Sequence, residues 1–129
     1  MKNYLLWNMF SNIKNGQLVK KSFIIQKKKQ LIEQFLNILW DEGFIIGYKV
    51  SKTDKKTLKV FLKYNTGKPV INTIKFISKP SRKIYFSTKQ LWKLKPNNTL
   101  IILSTNQGLL PDFRCKKLNI GGEHLVYIN

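Results

Sequence analysis

Three short stretches of this chain place groups of chemical use side by side. In Lys79-Pro80-Ser81-Arg82-Lys83, followed by Tyr85 and Phe86, cationic side chains sit next to aromatic rings. Lys79 and Arg82 can neutralise phosphates, and the ring of Tyr85 can stack on an exposed base. Ser104-Thr105-Asn106-Gln107-Gly108 puts hydroxyls, amides and a glycine that permits close approach at the end of an apolar run. Such groups hydrogen-bond to base edges and to 2′-hydroxyls in the shallow groove of RNA. Gly121-Gly122-Glu123 adds two flexible backbone positions and a lone carboxylate, which can accept from base amino groups. Each stretch taken alone is equally compatible with an ordinary polar turn.

Catalysis finds much less material. His124 is the only histidine, which excludes paired-histidine catalysis and histidine metal clusters within one chain. The carboxylates Glu33, Asp41, Glu42, Asp54, Asp112 and Glu123 form no tight acidic cluster in sequence. Asn65-Thr66-Gly67-Lys68 lacks the second glycine and the hydroxyl residue of a phosphate loop. Cys115, the single cysteine, excludes an internal disulfide and a cysteine-based zinc site, and it reads as a small buried residue. No catalytic residue, metal or cofactor is assigned, and an enzyme is not expected.

Charge supplies the common theme. Twenty-four basic against six acidic residues give a net charge of +18. A fold repelling itself that strongly is best matched to a polyanion, and nucleic acid is the leading class of partner. Lysine numbers 22, isoleucine 15 and asparagine 12, with two arginines and no alanine. That bias follows A/T-rich codons and suggests an organellar or strongly A/T-rich genome. No presequence or membrane-length apolar run is evident, so a soluble, non-secreted protein is expected, made in the compartment where it works.

Around these stretches the period of hydrophobicity sets the elements. Leu6, Met9, Phe10 and Ile13 form one helical stripe, with Gly16 as its expected stop. A second helix is expected over residues 28–41, with Leu31, Phe35, Ile38 and Leu39 inward and Gly43 as its cap. The period then changes to two, giving strands over Phe44–Val50 and Leu58–Tyr64, a break at residues 65–69, and a strand carrying Val70, Ile74 and Phe76. Beyond these come a short extended piece at residues 83–86 and a short helix capped by Ser87 or Thr88. A buried strand at residues 100–104 turns out at Asn106-Gln107-Gly108. Asp112 is expected to cap one helical turn, and Gly121-Gly122 to lead into a last strand at residues 124–128. The expected class is α+β, in two small domains: residues 1–69, two helices on a small sheet, and residues 70–129, mostly β with short helices.

The order of these motifs resembles the bacterial-type small-subunit ribosomal protein eight family. The signature of an apolar strand, Ser-Thr, two polar residues, Gly and two aliphatics stands here as Ile102-Leu103-Ser104-Thr105-Asn106-Gln107-Gly108-Leu109-Leu110. The family's Ile-Ser-Lys-Pro-Gly turn stands as Ile77-Ser78-Lys79-Pro80-Ser81, and its Gly-Gly-Glu ending as Gly121-Gly122-Glu123. Upstream, Asn8 to Asn15, Glu42-Gly43-Phe44-Ile45 and Leu62-Lys63-Tyr64 match in the same order. Ser81 and Cys115 depart from the family's small residues, and Tyr4-Leu5 replaces its opening Asp-Pro.

The resemblance implies a primary rRNA-binding constituent of the small ribosomal subunit, seated on the central domain of its rRNA and supporting assembly. It implies groove contacts from Ser104, Thr105, Asn106 and Gly108, packing from Tyr85, and closure of the site by Gly121, Gly122 and Glu123. Asn12, Lys14 and Asn15 on the first helix, with Lys79 and Arg82, would take phosphates. Neighbouring small-subunit proteins, the fifth among them, would be partners; neither a membrane nor self-association is expected. The A/T bias, the divergent start and the tryptophans Trp7, Trp40 and Trp92 favour a mitochondrially encoded copy, with a plastid or an A/T-rich bacterium as the alternatives. A peripheral membrane protein, a small nuclease and a helix-reading DNA-binding module are the rival classes. Scattered lysines, the missing catalytic set and recognition groups on loops argue against them in turn.

Overall fold

The stripe of Leu6, Met9, Phe10 and Ile13 is buried throughout, as its spacing requires. In the computed structural model, which describes residues 3–76, 84–93 and 100–129, it lies on a helix, α1, spanning Asn3–Leu18. Gly16 does not stop this helix, against expectation. A Cβ there would fall 2.7 Å from Ile24 Cγ2 and 3.2 Å from Leu62 Cδ1, so glycine lets the last turn press onto its neighbours. The stop is Lys20, in the left-handed region at φ 56°, with the Lys21 N–H donating to the Gly16 carbonyl at 2.9 Å. Gly16→Ala is therefore expected to lower stability by about 1 kcal/mol despite alanine's better helix propensity, because a branched, buried isoleucine cannot yield freely. Thermal unfolding reads the sign directly.

The next element was not expected. β1, Phe23–Lys27, pairs antiparallel with β3 below, its five residues lying between lysine-rich flanks that hid the strand signal. α2 spans Gln30–Asp41 and buries Ile32, Phe35, Leu36, Ile38 and Leu39. Leu31 is only half-buried, so the inward stripe is rotated from the expected one and Ile32 takes its place. The Phe10 and Phe35 rings meet edge-on at 5.7 Å, which locks α1 against α2. Gly43 ends the helix as expected: at φ 78° it lets the Phe44 N–H donate back to the Leu39 carbonyl at 2.8 Å. β2, Ile45–Val50, and β3, Thr57–Leu62, complete a sheet of order β1-β3-β2. Leu58, Val60 and Leu62 face the helices. Where a plain break was expected, β4 (Tyr64–Asn65) and β5 (Lys68–Pro69) form a small hairpin. Val70 lies outside any strand, and its N–H donates to the Lys63 carbonyl at 3.2 Å, next to the hairpin's Tyr64–Pro69 pair.

The chain divides into two units, Met1–Val70 and Ile71–Asn129. The second contains β6 (Ile74–Phe76), β7 (Tyr85–Phe86), α3 (Thr88–Lys93), β8 (Leu100–Thr105), β9 (Gly108–Pro111), α4 (Asp112–Leu118) and β10 (Gly122–Ile128). β8 and β9 form a hairpin beside β10, while β6 and β7 pair successive parts of β10's other edge, all antiparallel. Leu91, Ile101, Leu103 and Cys115 form the core beneath α3 and α4, with Phe86, Leu110 and Tyr127 packed against it. Ser87 is the cap of α3: its N–H donates to Gln90 Oε1 at 2.8 Å and its Oγ accepts from the Gln90 N–H. Asp112 is not a cap. Pro111 holds that place, Asp112 is the first helical residue and is buried, and α4 runs for seven residues instead of one turn. The class is α+β, with four helices and antiparallel sheets among the described residues.

Candidate nucleic-acid interface

Strand register gathers the second unit's candidate residues at one end of its sheet. Glu123 on β10 stands opposite Ser104 on one side and Tyr85 on the other. Directly opposed residues of antiparallel strands project to the same face, so Tyr85, Glu123 and Ser104 form one row. The backbone N–H of His124 donates to the Ile84 carbonyl at 2.8 Å and fixes the β7 side of that row. Gly122 and Glu123 thus lie inside the last strand, not in a lead into it.

The row's three members differ in exposure. Tyr85 is 64% exposed, and its ring is open to a flat partner. Ser104 is half-buried, and its hydroxyl makes no hydrogen bond among the described residues. Glu123 is only 8% exposed, and its Oε2 is buried without a hydrogen-bond partner. A buried acceptor left unmatched costs roughly 1–3 kcal/mol, and more when charged, which makes this oxygen an unmet acceptor that a small outward turn of the side chain would have to offer to any partner.

The adjoining hairpin is organised by Thr105. Its hydroxyl donates to the Gly108 carbonyl at 2.8 Å and accepts from the Gln107 N–H at 3.1 Å. Most of its capacity is thus spent on holding the turn, which leaves Asn106 and Gln107 exposed at the tip. The glycines 121 and 122 owe their place to contact as much as to flexibility. A Cβ on Gly121 would lie 2.5 Å from the Phe86 carbonyl oxygen, and one on Gly122 would lie 2.5 Å from that of Ser104. β10 is squeezed between β7 and β8 where the row forms.

The other candidates do not join this row. Lys79 and Arg82 lie outside the described residues. Asn12, Lys14 and Asn15 are on α1 in the first unit. Lys14 and Asn15 are exposed, whereas Asn12 Nδ2 donates to the Ile25 carbonyl at 2.9 Å and to Gln26 Oε1 at 3.2 Å, tying α1 to β1. Cys115 is fully buried, and burial, reinforced by the nearby Asp112 charge, pushes its thiol pKa up, which suits packing and not nucleophilic attack. Among the described residues no cluster of histidine, cysteine and carboxylates could hold a metal, and no helix is long and apolar enough to cross a membrane. Sequence reasoning did not see that Glu123 would sit between Ser104 and Tyr85. Only strand register shows it, because the three residues are far apart along the chain.

Comparison with known proteins adds an independent line. The family model described as Ribosomal protein S8 matches residues 5–129. The small ribosomal subunit protein uS8 of Buchnera aphidicola subsp. Cinara cedri is 38% identical over 122 residues, covering 95% of this chain and 94% of that one. Those of Wigglesworthia glossinidia brevipalpis and Alcanivorax borkumensis are each 39% identical, with coverage between 93% and 96% on both sides.

Proposed function

The chain belongs to the ribosomal protein S8 family, and from that premise we propose that it recognises the central domain of small-subunit rRNA with the row Tyr85, Glu123 and Ser104. As a member of that family it is a structural constituent of the small ribosomal subunit and not an enzyme. One observation carries this reading: the buried Oε2 of Glu123, without a hydrogen-bond partner and set by strand register between Ser104 and the exposed ring of Tyr85. An ionised carboxylate repels phosphate, so its use at an RNA surface is to accept from a base amino group or a 2′-hydroxyl. Ser104 would take a neighbouring groove atom and Tyr85 would pack on a sugar or base. Asn106 would approach from the hairpin tip, where Gly108 lets the backbone come close.

Phosphate contacts by Lys79, Arg82, Lys14 and Asn15 complete the proposal, as does contact with the fifth small-subunit protein; Asn12 leaves that set, because its amide nitrogen already donates to Ile25 and Gln26 of β1. A place on the ribosome follows from the family. The mitochondrial placement rests on the A/T-biased composition, the divergent start and the tryptophans Trp7, Trp40 and Trp92, while the relatives named above are bacterial.

Binding to a transcript of the matching rRNA junction, titrated with salt beside a scrambled hairpin, tests the site. Ser104→Ala and Glu123→Gln are each expected to reduce the preference for the native junction by about tenfold, the worth of one hydrogen bond to a charged or buried group. The salt slope should stay unchanged, because neither residue neutralises phosphate. Equal binding of both RNAs by the unmodified protein would sink the assignment.

A further inference from the structure

The three-stranded sheet of the first unit has one face under the helices and one face open. Register puts Phe23 opposite Phe61, Ile25 opposite Lys59, and Lys49 opposite Lys59, all on the open face. Phe23 is 38% and Ile25 48% exposed, and Phe61 is partly exposed beside them. The two phenylalanine rings are neighbours, with centroids 6.2 Å apart. An ammonium stands by each ring: Lys59 Nζ is 4.9 Å from the Phe23 centroid and Lys49 Nζ is 5.7 Å from that of Phe61.

From this face we infer a second RNA contact: a stacking platform for one or two unpaired nucleotides of single-stranded RNA, separate from the loop site of the second unit. Adjacent aromatic rings on an open sheet, flanked by cations that can move from ring to phosphate, are the parts that sequence-tolerant single-strand binding uses. Charge selects this occupant over a protein. β1, β2 and β3 carry Lys27, Lys49 and Lys59 and contain no aspartate or glutamate. The centres of protein–protein interfaces are depleted in lysine, whereas RNA requires it.

The test uses the full chain and a labelled 12-nucleotide oligouridylate, which cannot form a duplex. Phe23→Leu/Phe61→Leu keeps both positions apolar; thermal unfolding first establishes that the variant is folded. Its affinity for the oligonucleotide is expected to fall at least fivefold with an unchanged salt slope, while Lys49→Gln/Lys59→Gln should lower that slope by about 1.4. Ultraviolet crosslinking should place uridine adducts on Phe23 or Phe61. Ser104→Ala and Glu123→Gln should leave oligouridylate binding intact, so failure of the loop site and failure of this face are distinguishable. Unchanged affinity in the folded phenylalanine variant overturns the platform. So does a variant that binds oligouridylate normally but enters reconstituted subunits poorly, which would make the face a protein-docking surface.

Discussion

Gly122→Ala should remove about 3 kcal/mol of stability and, with it, the preference for the native rRNA junction. The added methyl carbon would sit 2.5 Å from the Ser104 carbonyl oxygen and 2.9 Å from Thr105 Cγ2. The nearest atom is backbone of a paired strand, so relief requires β8 and β10 to part, not a side chain to rotate. Overpacking costs typically 1–3 kcal/mol, and a backbone obstacle puts this case at the upper end. The parting strands are the ones that hold Ser104 and Glu123 opposite each other, so the junction preference should fall more than in either side-chain variant. Urea unfolding measures the first effect as a lower midpoint at unchanged m; the junction titration measures the second. A Gly122→Ala protein with wild-type midpoint and wild-type preference would show that the strands do not need this approach.

The contrast between Gly16 and Gly122 explains what the sequence could and could not reveal. At both glycines another chain segment occupies the space that an added Cβ would need. That constraint is tertiary, and local pattern assigned them other roles, a helix stop and a flexible lead. Where a signal is local it was legible. The stripe through Met9 and Ile13, Gly43 at the end of α2, Ser87 as one of the two caps offered for α3 and the apolar run ending at Ser104 all correspond to observed features. Local pattern failed where flanking charge masked it, as in β1, or where neighbouring stripes competed, as with Leu31 and Ile32 in α2. For the site, residue types were legible and pairing was not. Ser104, Tyr85 and Glu123 carry suitable groups, but the register of β10 decides that Glu123 is the middle member. It also decides that Glu123 is the one whose oxygen is buried. The platform of Phe23 and Phe61 was hidden for the same reason, since two short strands had to be paired before their rings became neighbours.

Acidification should weaken the second unit through a single residue. His124 is 6% exposed, and its ring lies with its centroid 4.9 Å from that of Phe86. Burial disfavours the imidazolium and lowers its pKa from 6.5 to about 4. In the unfolded chain the imidazole protonates near 6.5, so between that pH and 4 the unfolded state binds more protons than the folded one. The stability from neutral His124 is therefore complete above pH 6.5 and is lost as pH falls toward 4, by up to about 3 kcal/mol. Asp112 works in the opposite direction. Burial raises its carboxyl pKa, so the folded state takes up that proton first and gains relative stability on acidification. The two are separated by His124→Leu, which removes the imidazole and leaves Asp112 in place. Urea unfolding at several pH values between 7 and 4 should show wild-type stability falling steeply and the leucine variant's falling less or not at all. Because His124 follows Glu123 on β10, native-junction preference should decline over the same range in the wild type and persist in the variant. Parallel stability curves for the two proteins would mean that the imidazole takes its proton without leaving its packed position.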